Sequence, residues 1–136
     1  CGNGVLSIAA LKSNPACQIK AVDESWAAIR SSRLNLGRAG NPEHFQLIWN
    51  NSLSSLKSAQ ADLVLCNPPF HQHQSITDHI AWQMFQDASR ILKIGGRLRI
   101  VGNRHLGYHV KLTKLFGKCH TIAANPKFVI LESIKH

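Results

Sequence analysis

Three short stretches of this 136-residue chain carry residue types that could do chemistry together. The most specific is Asn67-Pro68-Pro69-Phe70. Consecutive prolines lack N–H donors and stiffen the backbone. The Asn67 side-chain oxygen and the Pro68 carbonyl then become pure acceptors held at a fixed place. An exocyclic amine has two N–H bonds to donate to such a pair, and donating them keeps its nitrogen lone pair aimed at an incoming electrophilic methyl group. Phe70 adds an aromatic face on which a base can stack. Catalysis of that kind comes from positioning and requires no formal charge. The bland alternative is a plain Pro-Pro loop.

The second stretch is Cys1-Gly2-Asn3-Gly4, ahead of a helix-prone segment. Glycines one residue apart let a backbone turn approach a ligand with no side chain between, and the helix that follows offers free N–H groups to an anion. A tight structural turn explains the same residues. The pattern is not a full dinucleotide fingerprint, because Ser7 stands where the third glycine belongs. The third stretch is Asp23, about twenty residues on, where an acid can hold two ribose hydroxyls or simply sit favourably at a helix N-terminus. Glu24 competes for either role.

The elements that must position these residues alternate. Helix signals cover 5–12, stopped by Asn14-Pro15, and 25–36, capped by Ser25 and ended by Gly37 and Gly40. Strand signals cover 18–22, 45–49 (ending at Asn50-Asn51) and the apolar run 63–66, of the type buried on both faces of a parallel sheet. Ile76, Ile80, Met84, Ala88 and Ile91 recur as one helical face, opened by a capping-box-like Ser75 and stopped at Gly95-Gly96. A strand at 97–103, a helix at 108–116 and two antiparallel strands at 120–124 and 127–133 complete the chain. Asn125-Pro126 between the last two is not a standard two-residue hairpin turn. The expectation is one α/β domain over residues 1–136, an open and mostly parallel sheet with an antiparallel C-terminal strand pair. The three candidate stretches fall at strand ends, where such sheets bind ligands.

Composition narrows the partner. Lys and Arg number 16 against 7 acids, a net charge of +9, and residues 93–136 hold nine of those bases with Glu132 as their single acid. That surplus suits a polyanion, although general solubility explains it too. No apolar run is long enough to span a membrane, and the chain opens without a signal-peptide pattern or an initiating Met. It reads as an internal or C-terminal piece of a longer cytoplasmic protein. The four cysteines show no zinc or disulfide spacing and read as reduced thiols used as small apolar residues.

The glycine turn, Asp23 and Asn67-Pro68-Pro69-Phe70 together resemble class I methyltransferases that act on exocyclic or amide nitrogens. Residues 67–72, 92–108 and 128–132 resemble, more closely, the bacterial ribosomal RNA guanine-N2 methyltransferases, and the likeness covers essentially the whole chain. It implies a Rossmann-like class I fold and S-adenosylmethionine as cofactor. It implies transfer of a methyl group to the N2 of a guanine in 23S ribosomal RNA, with the 16S enzymes as a sister branch. Cys1, Gly2, Asn3 and Gly4 would then line the methionine end of the cofactor, and Asp23 would hold its ribose. Asn51 would face the adenine, or serve only as a turn residue. Asn67 would orient the amine with help from the Pro68 carbonyl, and Phe70 would stack on the flipped guanine. In the family a strand and a short acidic motif precede the glycine turn, so the first strand is expected to be missing here. An N-terminal half that serves RNA binding is also expected to lie outside the chain.

Other readings are weaker. His71-Gln72-His73 lacks the neighbours of a metal site, and no metal is expected. Asn103-Arg104-His105 could touch RNA phosphate or be an ordinary exposed loop. Trp26 and Trp82 fit core or half-exposed positions. The same Asn-Pro-Pro logic serves adenine N6 in DNA or a protein glutamine, the latter disfavoured by the basic C-terminal third. A catalytically silent RNA-binding module would not need Gly2, Gly4, Asp23 and Asn67, and a nicotinamide oxidoreductase leaves residues 67–70 without a task.

Overall fold

The computed structural model describes every residue except Asn3, Gly40, Asn41, Asn51, Ser52 and 70–73, together with the side chains of Pro42 and Gln74. Asn3, Asn51, Phe70 and the His71-Gln72-His73 run therefore lie outside the described residues. The chain comprises two compact units, Cys1–Ser55 and Leu56–His136.

In the first unit, α1 (Val5–Ser13) leads to β1 (Ile19–Asp23), α2 (Trp26–Ala39), a 3₁₀ turn (Pro42–His44) and β2 (Phe45–Trp49). The strands pair in parallel from Ile19 opposite Phe45 to Asp23 opposite Trp49. Leu11, Ala21, Ile29 and Leu36 form the core. Ser25 caps α2 as expected, its hydroxyl accepting the Ala28 N–H at 3.3 Å. Gly37 does not end that helix, which runs on to Ala39. A glycine in a helix costs only about 1 kcal/mol against alanine, and Leu36, fully buried, anchors the turn around it.

In the second unit, β3 (Ala61–Cys66), α3 (Gln74–Ile91), β4 (Leu92–Asn103), a 3₁₀ turn (Arg104–Leu106), α4 (Tyr108–Phe116), β5 (His120–Ala124) and β6 (Phe128–Ile134) follow in order. The sheet order is β3-β4-β6-β5. β3 and β4 are parallel, whereas β6 runs antiparallel to both β4 and β5. The described strands thus make two sheets, with the expected antiparallel pair at the C-terminus.

Three expectations change here. Gly95-Gly96 does not stop α3: the helix ends at Ile91 and β4 begins at Leu92. The glycines instead serve a bulge where β3 shifts register between Ala61 and Leu63. Gly95 has φ +84°, and a Cβ on Gly96 would lie 2.8 Å from the Lys93 carbonyl. The buried stripe of α3 is also rotated by one residue. Thr77, Ala81, Phe85, Ala88 and Ile91 face the core, while Ile76 is 51% exposed. Phe85 fixes that phase, with its ring edge-on to Tyr108 at 5.3 Å. Finally, β3 buries Val64 and Cys66, but Leu63 and Leu65 on its other face are exposed.

The β5–β6 turn finds its own solution to Asn-Pro. The Asn125 side-chain oxygen accepts the N–H groups of Lys127 at 2.9 Å and Phe128 at 2.6 Å, and the Asn125 N–H donates to the Phe128 carbonyl. An Asx-type turn thus replaces the usual glycine-containing hairpin.

Candidate active site

In the first unit the structure brings Cys1, Gly2, Gly4 and Asp23 together. Gly2 (φ +56°) and Gly4 (φ +86°) both occupy left-handed backbone that favours glycine. The turn is closed by Gly4 N–H to the Cys1 carbonyl at 3.0 Å, and α1 begins with Ile8 N–H to the Gly4 carbonyl. One Asp23 oxygen accepts the Gly2 N–H at 3.0 Å and the Cys1 nitrogen at 2.7 Å. The other accepts the Ser25 N–H at 2.9 Å. Partial burial pushes the Asp23 carboxyl up. The hydrogen bonds from the Cys1 nitrogen, Ser25 and Gly2 outweigh it and hold the carboxyl below its ordinary value. Asp23 thus stands ahead of α2, as one of its two readings had it, and also ties the glycine turn to β1.

A Cβ on Gly2 would meet nothing within 4 Å, so open space adjoins the backbone there, whereas Gly4 packs against Ser32 at 3.4 Å. Ser32 carries no signal in the sequence beyond being a small polar residue on the buried face of α2. It is fully buried, and its hydroxyl donates to the Gly2 carbonyl at 2.9 Å. Trp26 and Trp49 were likewise missed as site residues. Both are exposed, with ring centroids 5.2 Å apart, and the Trp49 indole donates to the Glu24 carbonyl at 2.8 Å. They place an aromatic surface at the C-terminal ends of β1 and β2, Trp49 closing β2 and Trp26 opening α2.

In the second unit Asn67 follows β3 directly and is exposed, Pro68 is fully buried, and Pro69 is half-buried. Buried Pro68 anchors the backbone that presents Asn67. Preceding it, Cys66 is buried, and burial pushes its thiol up to about 12, so it stays neutral and is no nucleophile at ordinary pH. Asn67 lines a predominantly apolar cleft of about 380 Å³ whose other walls include Val101, Asn125, Phe128 and Ile130. Asn125 and Phe128 were read only as turn and strand residues, and no local signal marks them. Arg104 is exposed at the end of β4, where its guanidinium donates to the Asn125 carbonyl at 3.3 Å. Trp82 is half-buried beneath the Lys114 ammonium. The cysteines form no disulfide; the Cys1 side chain is only 5% exposed, with its Sγ 3.3 Å from the Ser32 hydroxyl. Among the described residues no cluster of three His, Cys, Asp or Glu could hold a metal, and no helix is long and apolar enough to cross a membrane.

A parallel βαβ unit with polar residues at its strand ends, closed by an antiparallel strand pair, is the class I methyltransferase architecture. The T. thermophilus 16S rRNA N2 methyltransferase, in complex with AdoMet and guanosine, superposes with a TM-score of 0.75 at 22% identity over 88% of this chain and 32% of its own. A SAM-dependent O-methyltransferase from Thermotoga maritima gives 0.73 at 12% identity over 99% of this chain and 57% of its own. At those identities the likeness concerns the fold. The sequence goes further: residues 1–132 match the model of the methyltransferase small domain, and the chain belongs to that family. It is similar to the ribosomal RNA large subunit methyltransferase G of Magnetococcus marinus (68% identical over 135 residues) and that of Shewanella amazonensis (58% over 137 residues). It spans 99% of itself in both matches but only 37% and 36% of those proteins' length.

Proposed function

We propose that residues 1–136 act as one catalytic domain that methylates the exocyclic N2 of a guanine in 23S ribosomal RNA, using S-adenosylmethionine, in the cytoplasm. The observation that carries the reading is Asn67, presented by a fully buried Pro68 on the rim of an apolar cleft. The high identity to large subunit methyltransferases supports the acceptor, and the AdoMet complex of the T. thermophilus neighbour supports the cofactor.

The residues present fit that cofactor. The Cys1–Gly4 turn, Asn3 included, would hold the methionine end, because open space adjoins the Gly2 backbone. Asp23 already accepts three hydrogen bonds, yet an ionised carboxylate has about four acceptor sites, which leaves capacity for a ribose hydroxyl. Asn51 and the Trp26–Trp49 surface would face the adenine. Bound S-adenosylmethionine supplies an electrophilic methyl group on a positively charged sulfur. Asn67 Oδ1 and the Pro68 carbonyl accept the two amine N–H bonds, with Pro69 holding the loop and Phe70 stacking on the flipped base. The amine nitrogen would form its bond to carbon as the carbon–sulfur bond breaks, the electron pair staying on the sulfur, which departs as a neutral thioether. The nitrogen sheds a proton to solvent, so the site needs no strong base. The part of the relatives' length that this chain does not cover would aid RNA binding.

The test uses the full-length protein with labelled S-adenosylmethionine and ribosomal RNA from cells lacking the enzyme, beside an Asn67→Ala variant. Label recovered in N2-methylguanosine, and lost in the variant, is the expected result. Label in another nucleoside replaces the acceptor and keeps the mechanism. Cofactor binding with no labelled RNA redirects the search to DNA and protein amides, and no cofactor binding favours a silent RNA-binding module.

A further inference from the structure

The cleft beside Asn67 has a second wall that the acceptor chemistry leaves unused. It is built from the β5–β6 hairpin, where Ala123 and Ala124 leave room and the half-buried Phe128 lines the cleft. Two cations adjoin that hairpin. The Lys127 ammonium lies 5.2 Å from the centre of the Phe128 ring. Arg104 is fastened to the same hairpin, its N–H on the Lys127 carbonyl at 3.2 Å and its guanidinium on the Asn125 carbonyl. Both side chains are exposed. Residues 118–131 contain no acid, and Glu132 beyond them is already bound by Arg97 and Arg99. The hairpin's surroundings are therefore positive and its wall aromatic, a combination that suits a nucleotide whose base enters while its phosphates stay outside.

We propose that the β5–β6 hairpin and the Arg104 turn form the jaw that grips the acceptor RNA strand, with Phe128 as the face against which the target base lies and Lys127 and Arg104 on the adjoining phosphates. This rests on the reading of Asn67 as the acceptor site. Phe128 is a positioning residue here, and the two cations fix the register of the strand.

The test compares the full-length protein with an Arg104→Ala/Lys127→Ala double variant and with Phe128→Leu, measuring RNA affinity against salt and the kinetics of methyl transfer. Each phosphate contact on a single strand contributes about 0.7 to the slope of log affinity on log salt. The double variant should lower that slope by about 1.4. Between about 50 and 200 mM salt its affinity should then fall roughly sevenfold less than that of the wild type. Affinity for S-adenosylmethionine should not change. Phe128→Leu keeps an apolar side chain but loses the stacking face, and its kcat/KM for RNA should fall roughly fivefold or more with the salt slope intact. Circular dichroism checks folding; if Phe128→Leu does not fold, the exposed double variant still decides. A wild-type protein that methylates RNA, with a double variant of unaltered slope, overturns the jaw and leaves the acceptor reading standing. A wild-type protein that binds cofactor but labels no RNA overturns both.

Discussion

Tyr108 is the only tyrosine of the chain, and its environment makes a quantitative prediction. It opens α4, is 2% exposed, and presses its ring so closely on β4 that a Cβ at Gly102 would lie 2.7 Å from it. Its hydroxyl is buried with no hydrogen-bond partner among the described residues. A buried unsatisfied donor costs about 1–3 kcal/mol, so Tyr108→Phe should stabilise the fold by roughly 1 kcal/mol at neutral pH after allowing for the small void it leaves. Burial, reinforced by the negative charges that Cys66 and Asp78 can carry, pushes the phenol from 10.0 up to about 12. The sign follows from linkage. The unfolded chain releases this proton at lower pH than the native one, so the contribution is intact below about pH 10 and is lost as pH rises to about 12. Two units correspond to roughly 2–3 kcal/mol. Urea unfolding followed across that range should show wild-type stability falling more steeply than that of Tyr108→Phe, and the difference cancels the parallel loss from Cys66. The same tyrosine can be titrated directly by its near-ultraviolet absorbance. Ionisation near pH 10 in the folded protein, parallel alkaline limbs, or a variant destabilised by 1 kcal/mol or more would show that the hydroxyl is solvated or bonded and refute the reasoning.

Three further perturbations test the surroundings of the site. Gly4→Ala puts a Cβ on left-handed backbone beside Ser32; it should cost roughly 1–2 kcal/mol in chemical denaturation and weaken S-adenosylmethionine binding measured by calorimetry. Asp23→Asn should loosen the glycine turn and reduce cofactor affinity. Calorimetric titration beside the wild type reads that loss. Glu132→Gln leaves Arg97 and Arg99 facing a neutral group, but both arginines are about half exposed and can turn to water. The expected loss is therefore roughly 1–3 kcal/mol, below the range for a fully buried pair, and a double-mutant cycle with Arg99→Ala should recover part of it.

Elements whose two ends carry local signals were legible in the sequence to the residue. Tyr108–Phe116 is bracketed by Gly107 and Gly117, both at positive φ, and Phe45–Trp49 follows a proline turn. Errors arose where tertiary contact decided. Ile76, Ile80 and Met84 form as good an apolar row as Thr77, Ala81 and Phe85, and periodicity alone cannot choose between them. The large ring of Phe85, seated on Tyr108, chooses. Gly95-Gly96 is a strong local stop, yet its glycines are required where β3 and β6 crowd β4: the Gly95 N–H reaches the Lys135 carbonyl and the Lys135 N–H the Gly96 carbonyl.

The same division runs through the site. Gly2, Gly4, Asp23 and Asn67-Pro68 were open to nomination from the sequence because each carries a local signal of its own, a glycine turn, an acid after a strand or a proline pair. Phe128 and Asn125 were not, because they reach the cleft only through the pairing of β6 with β4, which puts Phe128 opposite Asn103 and Val101 opposite Ile130. That division bears on selectivity. The paired acceptors of Asn67 and Pro68 suit any exocyclic amine. On the proposed reading, telling guanine from adenine falls to the rest of the cleft, where Asn125 is the one other polar lining residue among those described. The Asn125 side-chain oxygen is already committed to the Lys127 and Phe128 N–H groups, and its carbonyl accepts from Arg104. An apolar wall rejects a near-isosteric competitor by only about ten- to two-hundredfold. On the proposed reading the motif at Asn67 selects the chemistry, and the choice of nucleotide falls to residues beyond that described lining.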